Sequence, residues 1–136
     1  MESATSKKLR MLIADDDPQI LSMLSVRFSK LGYEVVEAAD GVQALAKARA
    51  SKPDIVLLDV MMPGKNGWEV ARELRLNHGT KEIGILILTA IGTIVNEMTS
   101  PLYGADDYCD KPFEFAELDR KITAILEKRR VQQQQG

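Results

Sequence analysis

Asp54-Ile55-Val56-Leu57-Leu58-Asp59 is an unbroken apolar run closed by an aspartate. It has no polar alternation, which is how a central parallel strand buried on both faces reads. Parallel strands need crossover connections, so helices should flank the run on each side in sequence. Upstream, Asp40-Gly41 opens a helix with Ala44, Leu45 and Ala48 on a narrow apolar face, and Pro53 closes it. Before that come a short strand, Tyr33 to Glu37, and a helix that starts at Asp17-Pro18 with Asp as N-cap and Pro in the first turn. That helix carries Ile20, Leu21, Leu24, Phe28 and Leu31 at helical spacing, and Gly32 stands where a left-handed C-cap residue is wanted. Leu9 to Ala14 is the first strand.

Downstream the alternation continues. Met62 to Gly67 is a loop, and Trp68, Val70, Ala71 and Leu74 give a third helix. Ile83 to Leu88 is a second fully apolar strand. A weaker helical stretch with Ile94, Val95, Met98 and Leu102 is interrupted by Pro101, then Asp107 to Asp110 forms the last strand. Phe115 to Lys128 is the last helix, with Leu118, Ile122, Ile125 and Leu126 inward. The pattern predicts an α/β fold, a doubly wound five-stranded parallel sheet flanked by five helices.

Ligands in such sheets bind beyond the carboxyl ends of the strands. Polar residues sit at four of those ends: Asp15-Asp16, Asp59, Thr89 and Lys111. Three carboxylates, a hydroxyl and an ammonium would therefore share one pocket. Crowded carboxylates repel unless a cation lies between them, and a hard, oxygen-seeking ion such as Mg²⁺ suits them. Asp59 is the carboxylate left to act as nucleophile toward a phosphoryl group, with Thr89 and Lys111 as donors to its oxygens. The crowding also predicts that Asp15→Asn raises the metal-free melting temperature. Taken singly, each residue has a plainer reading: a turn aspartate, a solvated lysine, a β-forming threonine at a strand end. Capping does not account for Asp15 and Asp16, because Asp17 already fills the N-cap position.

The chain has 136 residues, 45% of them apolar, enough for a single domain that buries roughly two thirds of its unfolded surface. Lys and Arg number 18 against 20 Asp and Glu, a net charge of −2 that argues against nucleic acid or anionic membrane as the partner of this domain. The single cysteine, Cys109, excludes an internal disulfide and reads as a core side chain. No apolar run approaches the roughly 20 residues of a membrane span, so a cytoplasmic location is expected. His78, the lone histidine, falls in a loop signal, and Trp68 reads as packing at a helix start. The division expected is a disordered segment over 1–8, one domain over 9–128 and a tail or glutamine-rich linker over 129–136.

Together the motifs closely resemble the receiver domains of response regulators, the CheY-like half of two-component phosphorelays. The resemblance covers about Leu9 to Lys128. It rests on Ile13-Ala14-Asp15-Asp16-Asp17-Pro18, Leu57-Leu58-Asp59-Val60-Met61-Met62-Pro63-Gly64, Leu88-Thr89-Ala90, and Gly104-Ala105-Asp106-Asp107-Tyr108 followed by Asp110-Lys111-Pro112-Phe113. It implies strand order 2-1-3-4-5, a phosphoacceptor Asp59, and a Mg²⁺ site of Asp16, Asp15 acting through water, Asp59 and the Met61 carbonyl. It further implies a switch pair, Thr89 and Tyr108, and a cis peptide between Lys111 and Pro112. The implied partners are a sensor histidine kinase or histidine phosphotransfer protein, read by Gln19, Ile20, Met23 and Leu24, and a downstream protein or output domain; a homodimer is a further state open to such a domain.

The chain departs from the family pattern or varies within it at four positions. Asn66 stands where Asp is common, Pro101 interrupts a helix, and the positions two beyond Asp59 and Thr89 are the apolar Met61 and Ile91, which implies slow loss of the phosphoryl group. A haloacid-dehalogenase-like phosphatase would need a second Asp two residues after the first, where Met61 stands. A flavodoxin-like module would need a hydroxyl- and glycine-rich loop where Asp15-Asp16-Asp17 would repel phosphate. A degenerate receiver acting as a phosphorylation-independent interaction domain is the remaining alternative.

Overall fold

A computed structural model describes residues 8–90, 99 and 101–135. Five parallel strands form one sheet: β1 Arg10–Ala14, β2 Glu34–Ala38, β3 Ile55–Asp59, β4 Gly84–Thr89 and β5 Asp107–Asp110. Their spatial order is β2-β1-β3-β4-β5. Four α-helices occur among the described residues: α1 Pro18–Lys30, α2 Gly41–Ser51, α3 Gly67–Leu76 and α4 Phe115–Gln135. Most of the weaker helical stretch expected around Ile94, Val95 and Met98 lies outside the described residues. Pro101 opens a short 3-10 turn, Pro101–Tyr103, in keeping with a residue that cannot continue an α-helix.

The sheet is covered on both faces, and strand alternation decides which residue faces which layer. Leu12, Val56, Leu58, Ile85 and Ile87 pack toward α2 and α3, with Ala44, Ala48, Val70 and Leu74. Met11, Ile13, Ile55, Leu57, Leu86 and Leu88 pack toward α1 and α4, with Leu24, Phe28, Leu118 and Ile122. All five residues of β3 are buried, as expected for the central strand. Truncating one of its large side chains, such as Leu57→Ala, would cost about 2–5 kcal/mol.

Local chemistry sets the helix ends. Asp17 caps α1 through Gln19 N, Asp40 caps α2 through Gln43 N, and Asn66 caps α3 in a reciprocal box with Glu69. Asn66, a departure from the family pattern in sequence, is thus a working N-cap. Gly32 takes a positive φ of 101° just past α1. The final helix runs to Gln135, beyond the expected end at Lys128 and through most of the segment expected as tail. The half-buried Arg129 on that extension holds Asp106 at 2.7 Å, a tertiary tie that periodicity does not reveal. Among the described residues, no helix is long and apolar enough to cross a membrane.

Candidate functional site

Strand register brings the polar strand ends together. Ala14 pairs with Leu58 and Asp59 with Leu88, so Asp15, Asp59 and Thr89 follow one another along the carboxyl edge of β1, β3 and β4. Thr89 in turn pairs with Asp110, which places Lys111 at the same edge. The Lys111 amide donates to the Thr89 carbonyl at 2.8 Å, and the Lys111–Pro112 peptide is cis, as the resemblance implies.

The carboxylates of Asp15, Asp16 and Asp59 offer oxygens that all lie within 4.8 Å of one another. Asp15 and Asp59 are buried, while Asp16 is exposed at the mouth. Lys111 is the cation among them. Its ammonium donates to Asp15 Oδ2 at 2.7 Å and stands 3.4 Å from Asp59 Oδ1. The nearer partner of Lys111 is thus Asp15 rather than Asp59, and Asp15 also accepts the Asp17 amide at 2.9 Å.

The electrostatic consequence falls on Asp59. Burial, then the neighbouring Asp15 charge, raise its pKa to about 6, and Lys111 offsets only part of this. Burial alone would lower the Lys111 pKa, but the hydrogen bond to Asp15 and the charges of Asp59 and Asp15 raise it on balance. Among the described residues, one ammonium paired with two of the three carboxylates leaves the cluster short of positive charge. A hard divalent cation fits this donor set of clustered carboxylate oxygens, of which Asp16 is exposed.

Other predicted positions divide. Thr89 is fully buried at the end of β4. Tyr108 is half-buried against the α2–α3 core, with the Lys121 ammonium 4.7 Å from its ring centre. Met61 is 66% exposed beside Asp59, and Ile91 lies outside the described residues. On α1, Gln19 and Met23 are exposed and Ile20 is half-buried, but Leu24 is fully buried in the core beside Phe28. Leu24 is therefore not available to a partner; its place on the exposed face goes to Val26, three residues beyond Met23 and 53% exposed. Cys109 is buried, and desolvation raises its thiol pKa to about 11, in line with a core role. His78 is exposed, and Trp68 stacks on Tyr103 with ring centres 6.2 Å apart.

Comparison with known proteins agrees with this edge. The family described as the response regulator receiver domain matches residues 11–123. The chain is 39% identical over 117 residues to the DNA-binding dual master transcriptional regulator RpaA of Synechocystis, covering 86% of this chain and 48% of that protein. A CheY-like response regulator receiver domain protein from Methanospirillum hungatei superposes with a TM-score of 0.85 at 28% identity, covering 93% of this chain and 99% of that one. The receiver domain of the sensor histidine kinase PA1611 from Pseudomonas aeruginosa superposes with a TM-score of 0.81 at 29% identity, covering 89% of this chain and 99% of that one. That structure has a magnesium ion coordinated in its active site cleft. The chain belongs to the response regulator receiver domain family, the phosphoacceptor modules of two-component signalling. It spans about half the length of the curated relatives it matches.

Proposed function

We propose that Asp59 is the phosphoacceptor, taking a phosphoryl group from a phosphohistidine on a sensor histidine kinase or histidine phosphotransfer protein. The observation that carries this reading is the state of Asp59: a buried carboxylate at a strand end, raised to about pKa 6 by burial and Asp15, and only partly compensated by Lys111. A carboxylate oxygen of Asp59 forms the new O–P bond as the P–N bond to the donor imidazole breaks, and the imidazole nitrogen keeps the electron pair. Lys111 pairs with the developing charge on the phosphoryl oxygens, and the Thr89 hydroxyl donates to one of them. Asp15, Asp16, Asp59 and the Met61 carbonyl would hold Mg²⁺, which supplies charge neutralisation between carboxylates and phosphoryl oxygens. The chain is a signalling phosphoacceptor whose only chemistry is gain and loss of its own phosphoryl group.

The donor docks on the exposed face of α1, through Gln19, Met23 and the edge of Ile20. Phosphorylation biases a two-state surface through Thr89 and Tyr108 and so controls a downstream protein or output domain, which itself makes any nucleic-acid contact. The test is intact mass after incubation with acetyl phosphate, with and without Mg²⁺, for the parent chain and Asp59→Asn. A Mg²⁺-dependent gain of one phosphoryl group, lost in the variant, is the expected result. No gain with any donor would move the assignment to a phosphorylation-independent interaction domain.

A further inference from the structure

The loop of residues 60–66, between β3 and α3, carries the Met61 carbonyl. Its two ends are tied to one residue, because the amides of Met62 and Gly67 both donate to the Val60 carbonyl at 3.0 Å. Its middle rests on the first turn of α2. A Cβ added to Gly41 would overlap the Lys65 carbonyl oxygen, 2.6 Å from the carbonyl carbon and 2.8 Å from the Lys65 Cβ. Gly41 is not at a positive φ, so the need for glycine here is the approach of another backbone. Next to it, Gly64 adopts a φ of 82°, and a Cβ there would come 3.3 Å from Val42 Cγ2. On the far side, the Lys65 ammonium pairs with Glu73 of α3 at 2.6 Å. The loop is held between two helices and cannot retreat freely from α2.

The first turn of α2 is itself registered to the acidic edge. Asp40 accepts the Gln43 amide at 2.8 Å, and Gln43 Oε1 accepts the Ala39 amide at 3.1 Å. One residue earlier, the Ala38 carbonyl accepts the Asp15 amide at 3.1 Å. A closed path of short contacts therefore runs from Asp15 through the end of β2 and the start of α2 to Lys65, and back along the loop to Asp59.

We infer that Gly41 is a positioning residue for the acidic site: its missing side chain lets the loop seat on α2 and sets the distance from the Met61 carbonyl to Asp15 and Asp16. This rests on the proposed Mg²⁺ site. A side chain at Gly41 pushes the loop outward and displaces a ligand without altering any carboxylate. Groups that orient metal ligands from outside the ligand set change affinity about 10- to 100-fold when altered.

The experiment is Mg²⁺ titration by calorimetry of the parent, Gly41→Ala, Ala50→Gly and Asp16→Asn. Ala50 is exposed on the same helix, so its replacement weakens α2 without touching the loop. Gly41→Ala should weaken Mg²⁺ binding about ten-fold, while Ala50→Gly binds as the parent does. Equal Mg²⁺ affinity in Gly41→Ala and parent overturns the inference, as does an equal loss in Ala50→Gly, which would make the effect one of helix stability. Asp16→Asn separates the two levels: unchanged binding there removes the metal-site reading itself, whereas loss there with none in Gly41→Ala removes only the role of Gly41. Should Gly41→Ala not fold, Val42→Ala, at a 58% exposed position, trims the support under Gly64. It should weaken Mg²⁺ binding in the same direction by a smaller factor, and an unchanged affinity overturns the inference.

Discussion

Asp59 and Asp106 are both buried aspartates next to this sheet, with side chains 7% and 2% exposed, yet the fold treats them in opposite ways. Asp106 accepts Arg129 at 2.7 Å, Arg75 at 2.9 Å and the Ile85 amide at 2.8 Å. Burial alone would raise its pKa, but these donors outweigh it and hold the carboxyl below its usual value. Asp59 shares the Lys111 ammonium with Asp15, and burial and Asp15 raise its pKa to about 6. At similar burial, the supply of donors decides whether the pKa of a carboxylate falls or rises. The Asp106 anchor joins the end of α3, the start of β4 and the extension of α4, while Asp59, the proposed phosphoacceptor, lies at the opposite end of the strands.

The largest effect that could break this contrast is on the anchor. Asp106→Ala leaves two half-buried guanidiniums without their carboxylate and should cost about 4 kcal/mol of unfolding free energy in urea; a loss below about 1 kcal/mol would place Asp106 among ordinary surface pairs.

Next is the opposite sign at Asp59. Asp59→Asn should raise metal-free stability by up to about 3 kcal/mol at pH 8, the equivalent of the shift from 3.8 to about 6. Because the folded pKa lies above the unfolded one, the penalty is absent below 3.8 and grows as pH rises to about 6, so the gap between parent and variant should open across that window. Asp106 behaves inversely: its lowered pKa gives stability that is complete above its unfolded value and fades only as pH falls below it. Thermal melts of both variants from pH 3 to 8 read the two windows separately, and coincident profiles would erase the distinction.

A smaller effect sharpens the division of charge inside the site. Asp15→Asn relieves repulsion but gives up the 2.7 Å ion pair with Lys111, so its gain in metal-free melting temperature should be under half that of Asp59→Asn. An equal or greater gain would mean that Lys111 serves Asp59 first. The smallest is kinetic. Met61, exposed and apolar beside Asp59, has no group to orient a water, so Met61→Asn should speed decay of the phosphoryl group several-fold, followed by intact mass over time.

Much of the site was legible because each part of it is a local signal. Asp15, Asp59 and Thr89 end or follow apolar runs, and a parallel sheet aligns the ends of its strands whatever the loops do. Asp17 reads as a cap, and Asp40-Gly41 as a helix start, for the same reason: the partner amide is two or three residues away. The Asn66 and Glu69 box has the three-residue spacing of a capping signal, although Asn66 by itself looks like a loop residue. Leu24 misled because both the exposed and the buried stripe of α1 carry apolar side chains, and Met23 and Val26 resemble core residues by type alone.

The sequence by itself determined the alternation of strand and helix, the edge at which the polar residues gather and the chemical class of that edge. Periodicity and capping act over a few residues, and parallel pairing does the rest. Only the tertiary structure decided how the charges are shared: that Lys111 sits closer to Asp15 than to Asp59, and that Asp106 draws guanidiniums from 31 and 23 residues away. It also decided that Gly41 makes room for a loop on another element. Burial turns charge sharing into pKa, and burial and long-range pairing exist only once the layers have closed on the sheet.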